Sequence, residues 1–392
     1  MTVLDHFRRA VRVHPRRGVP AGWGPLEPVP WLPTGFFHGD SIDPGTRLDY
    51  HTGTCYPQDA ASQVPVLLLD PRPGEIVVDA CAAPGSKTSQ IGLALGDTGL
   101  VVAGDPSPQR RAVLVENLAR QGVACGLVTP MPLERLAERH PGAADAVLVD
   151  APCSGHAIKS PRQHARMGER QLAILVLAAA LVRPGGRLVY STCTAALEED
   201  EGVVTAFLAG HPEWSVVPRS LPGCGVDRAG LGAIRLSPED QGTEPFFACL
   251  LIRAGHAPAE GFSGILPPSV EATGQVPPWR EAVPLAHVWQ RGNAVLLGSA
   301  LAAAAALPAD ARGLLIGHGD KLDPWGAQGL IERGAAATRI SRPDALALWA
   351  GEERDLPPGA LLATDNGAPL GAADPAGRRL HLPSRLRRSG LL

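Results

Sequence analysis

Residues 77–105, VVDACAAPGSKTSQIGLALGDTGLVVAGD, decide the fold. They open on a β-branched apolar run that reads as a buried strand, pass through small residues at 80–85, and turn into a helical pattern at Ser86. A second apolar run, LVVAG, ends in Asp105. A strand feeding a tight small-residue turn and a helix N-terminus brings backbone N–H groups close to a ligand. Asp105, about 20 residues beyond the turn, stands where a ribose hydroxyl would be held. The stretch therefore predicts a nucleotide-like cofactor, although the dinucleotide fingerprint G-x-G-x-x-G is absent. The plainer alternative is a structural βαβ crossover without a ligand.

Outward from this stretch, strands at 77–80, 100–105, 127–129, 146–150 and 187–192 alternate with helices at 88–95, Pro108–Arg120 and 170–182. Such alternation predicts an α/β fold with a parallel, doubly wound sheet. Two further strand-like runs, 214–217 and 245–253, could close it. On the N-terminal side, 56–70 reads as a short helix running to the turn PRPGE. Residues 1–50 begin with a basic block, Arg8, Arg9, Arg12, Arg16 and Arg17, and become rich in Pro and Gly. They read as a solvated arm or as a phosphate-contacting one. Six prolines between 254 and 284 mark an interdomain linker. Beyond it come an Ala-rich helix at 299–307, short apolar runs, an Asn366-Gly367 turn, and a basic end carrying Arg378, Arg379, Arg385, Arg387 and Arg388. That portion reads as a small α+β domain.

At 392 residues the chain has room for two or three domains, and its 45% apolar content is that of a globular protein. The seven cysteines contain no C-x-x-C pair, which argues against zinc, and their odd number fits a reducing cytoplasm better than a disulfide scaffold. No metal site is expected. The N-terminus lacks the apolar segment of a signal peptide, and no run of 18 apolar residues suggests a membrane span. A net charge of −3 excludes a protein that holds nucleic acid by bulk charge; its basic residues are clustered instead.

Ligands of open α/β sheets bind beyond the carboxyl ends of the strands. Two cysteines stand at such ends, Cys153 in Asp150-Ala-Pro-Cys-Ser-Gly and Cys193 in Tyr190-Ser-Thr-Cys-Thr. A lone cysteine after a strand is usually an inert small residue. Two of them facing the mouth that the 77–85 loop also lines are harder to read that way.

ACAAPGSKT, DAPCSG and YSTCT, in this order, resemble motifs of the Rsm/Nol/Sun family of RNA cytosine-5 methyltransferases. RVH at 12–14, the PW…GF stretch at 30–36 and the C-terminal GAPLG…GRRLHLPSRLR are similar to the bacterial RsmF-like branch and its PUA-like tail. The resemblance implies a class I, Rossmann-like methyltransferase sheet. It divides the chain into a shortened N-terminal RNA-binding region (1–55), a catalytic domain (56–254), the linker (255–284) and a PUA-like RNA-binding domain (285–392). The implied cofactor is S-adenosyl-L-methionine, held by Cys81, Ala82, Ala83, Pro84, Gly85, Ser86 and Lys87, with Asp105 on the ribose and Asp150 at the far side. Cys193 is the implied nucleophile, adding to carbon 6 of cytosine so that carbon 5 becomes nucleophilic. Cys153 is implied to assist breakdown of the adduct, Asp150 to hold the base near nitrogen 3, and Lys87 to contact cytosine or cofactor.

The chain departs from the family pattern at several points. No acid stands at Met131–Pro132, where an adenine contact is usual. The insert after PCSG is short, with Lys159 and Arg162 in place of its usual basic residues, and Glu198, Glu199, Asp200 and Glu201 read mostly as acids offsetting a helix dipole. The expected partner is RNA, foremost small-subunit ribosomal RNA, with phosphate contacts from the N-terminal arm, 159–170 and the basic tail acting on a flipped-out base. The expected protein is a cytoplasmic monomer without a membrane partner. Transfer RNA as substrate, or a silent RNA-binding relative, are the alternatives.

Overall fold

The computed structural model describes residues 7–262 apart from 21, 97, 156–159 and 228. Of the remainder it describes 288–291, 294–297, 311–312, 314–318, 321–332, 335, 337–349, 352–358, 360–364, 369–374 and 376–381. The expected linker beyond Phe262, the helix at 299–307, Lys159, and Arg385, Arg387 and Arg388 lie outside these residues.

Four short strands, β1 (Ala10–Val13), β2 (Glu27–Pro28), β3 (Gly35–Phe37) and β4 (Cys55–Pro57), form an antiparallel sheet in the order β2-β3-β1-β4. The reading of this segment as a solvated arm is therefore corrected. Arg12 and Arg17, expected to face solvent or phosphate, are 2% and 3% exposed. Arg12 donates to Gln58 Oε1 at 2.9 Å and to Ser89 Oγ at 2.7 Å, tying the small sheet to the helix that follows the 80–85 loop. Burial pulls its guanidinium down to about 10. A buried guanidinium survives where protein acceptors replace those that water would otherwise supply. The expected helix at 56–70 is shorter, α2 (Val64–Leu69), because Cys55–Pro57 is taken into the sheet and 61–63 form a 3-10 turn.

The parallel core consists of β5 (Ile76–Asp79), β6 (Leu100–Gly104), β7 (Gly126–Thr129), β8 (Ala144–Asp150) and β9 (Val182–Thr192). The antiparallel β13 (Phe246–Arg253) lies beside β9, flanked by β10 (Trp214–Val216), β12 (Ile234–Leu236) and β11 (Gly225–Val226). The order β7-β6-β5-β8-β9-β13 reverses direction between β5 and β8, which opens a crevice at the carboxyl ends of those strands. The strands read as continuous apolar runs because both faces are covered. On one side lie α2, α3 (Ser86–Leu95) and α4 (Pro108–Arg120); on the other lie α5 (Leu133–Arg139), α6 (Pro161–Ala180) and α7 (Glu201–Gly210). Helix α6 begins nine residues before the expected 170. Ser160 and Gln163 form a reciprocal capping box, and Pro161 stands at the first helical position, where its missing N–H costs nothing. No helix among the described residues is long and apolar enough to cross a membrane.

Two short helices, α1 (Leu48–His51) and α8 (Pro238–Gln241), lie in the loops of the part before residue 262. Beyond residue 287 a four-stranded antiparallel sheet and a three-stranded sheet accompany α9 (Pro324–Glu332) and α10 (Arg342–Trp349), an α+β arrangement. Ala311–Arg312 pairs antiparallel with β7, extending the catalytic sheet by one strand. The Glu332 carboxylate, 2% exposed, meets Arg17 Nε at 2.5 Å and His14 Nε2 at 3.2 Å. His14 Nδ1 accepts the N–H of Arg16, so the proton sits on Nε2, and burial beside Arg17 keeps the ring neutral, well below its ordinary value. Replacing Glu332 by Ala leaves Arg17 buried without its counter-charge. We expect a loss of about 3 kcal/mol in chemical unfolding, the scale of a broken buried pair; a change within experimental error would show that this contact does not hold the C-terminal region in place. Arg378 and Arg379 pair with Glu353 at 3.5 and 2.8 Å rather than standing free.

Candidate active site

The crevice is a cavity of about 720 Å³ at the carboxyl ends of β5, β6, β8 and β9. The 80–85 loop forms one wall, where Cys81 and Ala83 face the space. Ala82 is pinned by its N–H to Gly104 O at 3.0 Å. Pro84, Gly85 and Ser86 instead set the path of the loop: Asn117 donates to Pro84 O at 2.8 Å, and Ser86 O accepts from Arg12. Gly85 has φ +109°, and a Cβ there would stand 2.8 Å from Leu114 Cδ1, so glycine is required both by conformation and by the approach of α4.

Asp105 follows β6 and its carboxylate is 2% exposed. It accepts from the Ser107 N–H at 2.9 Å and pairs with Arg110 at 3.1 Å; Arg110 also donates to Ala83 O at 2.6 Å, bridging the two walls. Sequence reasoning missed Arg110, which is one ordinary helix arginine among several.

Asp79, also missed, closes β5 at 1% exposure. One oxygen takes the Thr88 hydroxyl at 2.7 Å; the other, Oδ1, is buried without a hydrogen-bond partner on the cavity wall. Burial raises this carboxyl to about 6. An orphaned buried acceptor suits a cationic donor from a ligand. Further along, Met131, Pro132, Leu133, Ile174 and Leu177 make an apolar strip where the family's acid was expected, with the exposed Glu134 at its edge. An acceptor for an ammonium, a carboxylate near a ribose and an apolar slot for a purine together fit S-adenosylmethionine.

The far wall carries Asp150 and two cysteines. Cys153 Sγ and Cys193 Sγ, both free thiols, lie 3.0 Å apart. The hydrogen bond from Cys193, helped by the N–H groups of Gly155 and Cys193, pulls the Cys153 thiol below its ordinary value; the same bond pushes Cys193 up. Asp150, at the end of β8, accepts from Lys87 Nζ at 2.6 Å and from Ser191 Oγ at 2.8 Å, and Lys87 also donates to Ser62 Oγ at 2.8 Å. Lys87 is therefore held against Asp150 rather than against the 80–85 wall. Four residues read from three separate motifs (Lys87, Asp150 with Cys153, and Cys193) thus share one corner.

Of the four acids after Cys193 only Glu198 is exposed; the other three are not surface residues offsetting a helix dipole. Glu199 and Asp200 are 0% exposed, and Glu201 pairs with the buried Arg235 at 2.6 Å. Periodicity could not reveal this, since nothing in an EEDE run separates a solvated turn from a buried network.

The family profile described as 16S rRNA methyltransferase RsmB/F matches residues 66–252. A tRNA (cytosine(49)-C(5))-methyltransferase of Pyrococcus abyssi is 34% identical over 249 residues, covering 57% of this chain and 78% of that protein. Ribosomal RNA small subunit methyltransferase F of Klebsiella pneumoniae is 37% identical over 211 residues, 50% of this chain and 44% of that protein. The chain thus spans about half the length of that relative. Among solved structures, a methyltransferase homolog protein from Pyrococcus horikoshii superposes with a TM-score of 0.58 at 27% identity, over 64% of this chain and 88% of that one. With the cofactor-sized crevice, the paired thiols and these matches together, the chain belongs to the RsmB/F family of S-adenosylmethionine-dependent RNA cytosine-5 methyltransferases.

Proposed function

We propose that this chain methylates carbon 5 of a cytosine in RNA, with small-subunit ribosomal RNA as the substrate. The observation that carries the reading is the thiol pair 3.0 Å apart beside Asp150, opening into the cavity that the 80–85 loop lines. Cys193 adds through sulfur to carbon 6 and passes its proton to Cys153, whose thiol is held below its ordinary value. Asp150, oriented by Lys87 and Ser191, accepts from a nitrogen 3 protonated from solvent, and the positive charge it stabilises there draws electrons from carbon 6 until the proton is given back when the ring is restored. Bound S-adenosylmethionine supplies the methyl group to the activated carbon 5. A base at the cavity mouth then takes the carbon-5 proton, the electrons of that carbon–hydrogen bond restore the ring double bond, the carbon–sulfur electrons leave with the sulfur, and the departing thiolate recovers its proton from Cys153. Asp79 would hold the cofactor's ammonium and Asp105 its ribose.

The N-terminal sheet and the 285–392 region, read as PUA-like, would guide the RNA, and seven free cysteines suit a reducing cytoplasm. The family profile and the Klebsiella relative favour ribosomal RNA, while the Pyrococcus relative favours tRNA. Incubation with methyl-labelled S-adenosylmethionine and fractionated RNA, followed by nucleoside mass spectrometry, decides between them. We expect 5-methylcytidine in small-subunit RNA; label only in tRNA would reassign the substrate, and label in neither would overturn the activity.

Asp79 makes the cofactor site pH-sensitive. Its carboxylate is needed to hold an ammonium, and it is protonated below about 6. Affinity for S-adenosylmethionine should therefore level off above neutrality and weaken, toward about tenfold per pH unit, below that point. Calorimetric titration between pH 5 and 8 measures this; Asp79→Asn should bind weakly and without that slope.

A further inference from the structure

Two neighbouring carboxylates reach in opposite directions from the turn after Cys193. Glu199 Oε2 accepts the Ser154 N–H at 2.9 Å and Gln171 Nε2 at 3.0 Å, and Oε1 meets His164 Nδ1 at 2.6 Å. Gln171 also donates to Pro152 O at 2.9 Å. The residues on both sides of Cys153 are thus held by one buried carboxylate and the amide it orients. Asp200 faces the other way: Oδ1 accepts the hydroxyl of Thr192, the residue before Cys193, and Oδ2 is anchored by Arg235 at 2.8 Å. Arg235 lies on β12, whereas His164 and Gln171 lie on α6. The Tyr190 hydroxyl donates to Glu199 O at 2.5 Å, and Gly168 allows α6 to approach so closely that a Cβ there would stand 2.5 Å from Glu198 O. Beside the thiol pair itself, the two loops touch through Ser154 Oγ and Thr194 Oγ1 at 3.1 Å.

We propose that Glu199 positions Cys153 and Asp200 positions Cys193, so that each acid governs one half of the reaction: Glu199 the release of the RNA and Asp200 the attack upon it. This rests on the roles given to the two cysteines above. Neither acid touches substrate; both act through the backbone or hydroxyl next to a sulfur. A displacement of about 1 Å at a reacting group costs on the order of 100-fold in rate, so losing either clamp is visible without removing a thiol.

The two clamps are separable because the two cysteine variants differ in phenotype. The full-length protein is incubated with RNA and S-adenosylmethionine and quenched in denaturant; covalent protein–RNA adduct is read on a gel and 5-methylcytidine by mass spectrometry. Cys153→Ala accumulates adduct and Cys193→Ala forms none. Glu199→Ala should follow the first, with turnover down about 100-fold and adduct raised several-fold. Asp200→Ala should follow the second, losing adduct and product together. Glu199→Gln still accepts from Ser154, and its amide can donate to the other tautomer of His164, so release should return to within a few-fold of wild type. Should either alanine variant fail to fold, His164→Ala and Thr192→Val each delete a single clamp contact and should show the same two phenotypes in milder form. Loss of adduct in the Glu199 arm, or its accumulation in the Asp200 arm, overturns the division. Absence of adduct in Cys153→Ala itself would instead overturn the cysteine roles on which it rests.

Discussion

Cys193→Ala is expected to abolish methyl transfer, with turnover falling by about 10⁴-fold or more, the scale lost when a covalent nucleophile is removed from an otherwise intact site. The reason is chemical rather than structural. Carbon 5 of cytosine attacks nothing until a sulfur has added at carbon 6, and no other cysteine is positioned to replace this one. Cys153 is 3.0 Å away but lies on a separate loop, held by Glu199 through its neighbour Ser154. Cys81 also lies on the cavity wall, but on the 80–85 loop, across the crevice from the thiol pair. The alanine leaves a small gap in a half-buried position, and cofactor binding should stay within a few-fold of wild type. Methyl transfer is measured with labelled S-adenosylmethionine under single-turnover conditions. Product within tenfold of wild type would remove Cys193 from the chemistry.

Asp150→Asn is expected to cost about 10³-fold in turnover and about 3 kcal/mol in stability, for two separable reasons. The carboxylate accepts from Lys87 and Ser191 on its two oxygens, and the Lys87 side chain is only 8% exposed. An amide turned to accept from Ser191 presents its NH₂ to the lysine ammonium, donor against donor, and the lysine is left with Ser62 alone. The stability loss follows from that stranded charge. The rate loss follows from the proposed contact with nitrogen 3, which an amide cannot make with the same charge. Adding Lys87→Met removes the stranded ammonium, so Lys87→Met/Asp150→Asn should recover most of the stability while turnover stays low. Recovery of both together would make Asp150 a structural partner of Lys87 and nothing more.

The catalytic half of this chain is legible because its signals are local. A strand that is apolar on both faces, a turn of small residues and a capped helix each write themselves into consecutive positions, and Asp150, Cys153 and Cys193 announce themselves by following such strands directly. The N-terminal sheet is not legible in that way. Its strands are two to four residues long, and Arg12 and Arg17 look like members of a basic arm until Gln58, Ser89 and Glu332, distant in sequence, supply their acceptors. Helix α6 was open to a closer reading, since Ser160-Pro-Arg-Gln is a capping box in plain sight.

Read alone, then, the amino-acid order determined the strand–helix alternation, the crevice and the placing of two cysteines at strand ends, because backbone propensity and burial on both faces act within a few residues of where they are encoded. Only the tertiary structure decided which charges are buried and what they hold: Asp79 with its unpartnered oxygen, Arg110 across the crevice, and Glu199 and Asp200 each reaching a different cysteine loop. An acid's role depends on the donors that the fold brings to it from tens of residues away, and its own sequence neighbours carry no trace of them.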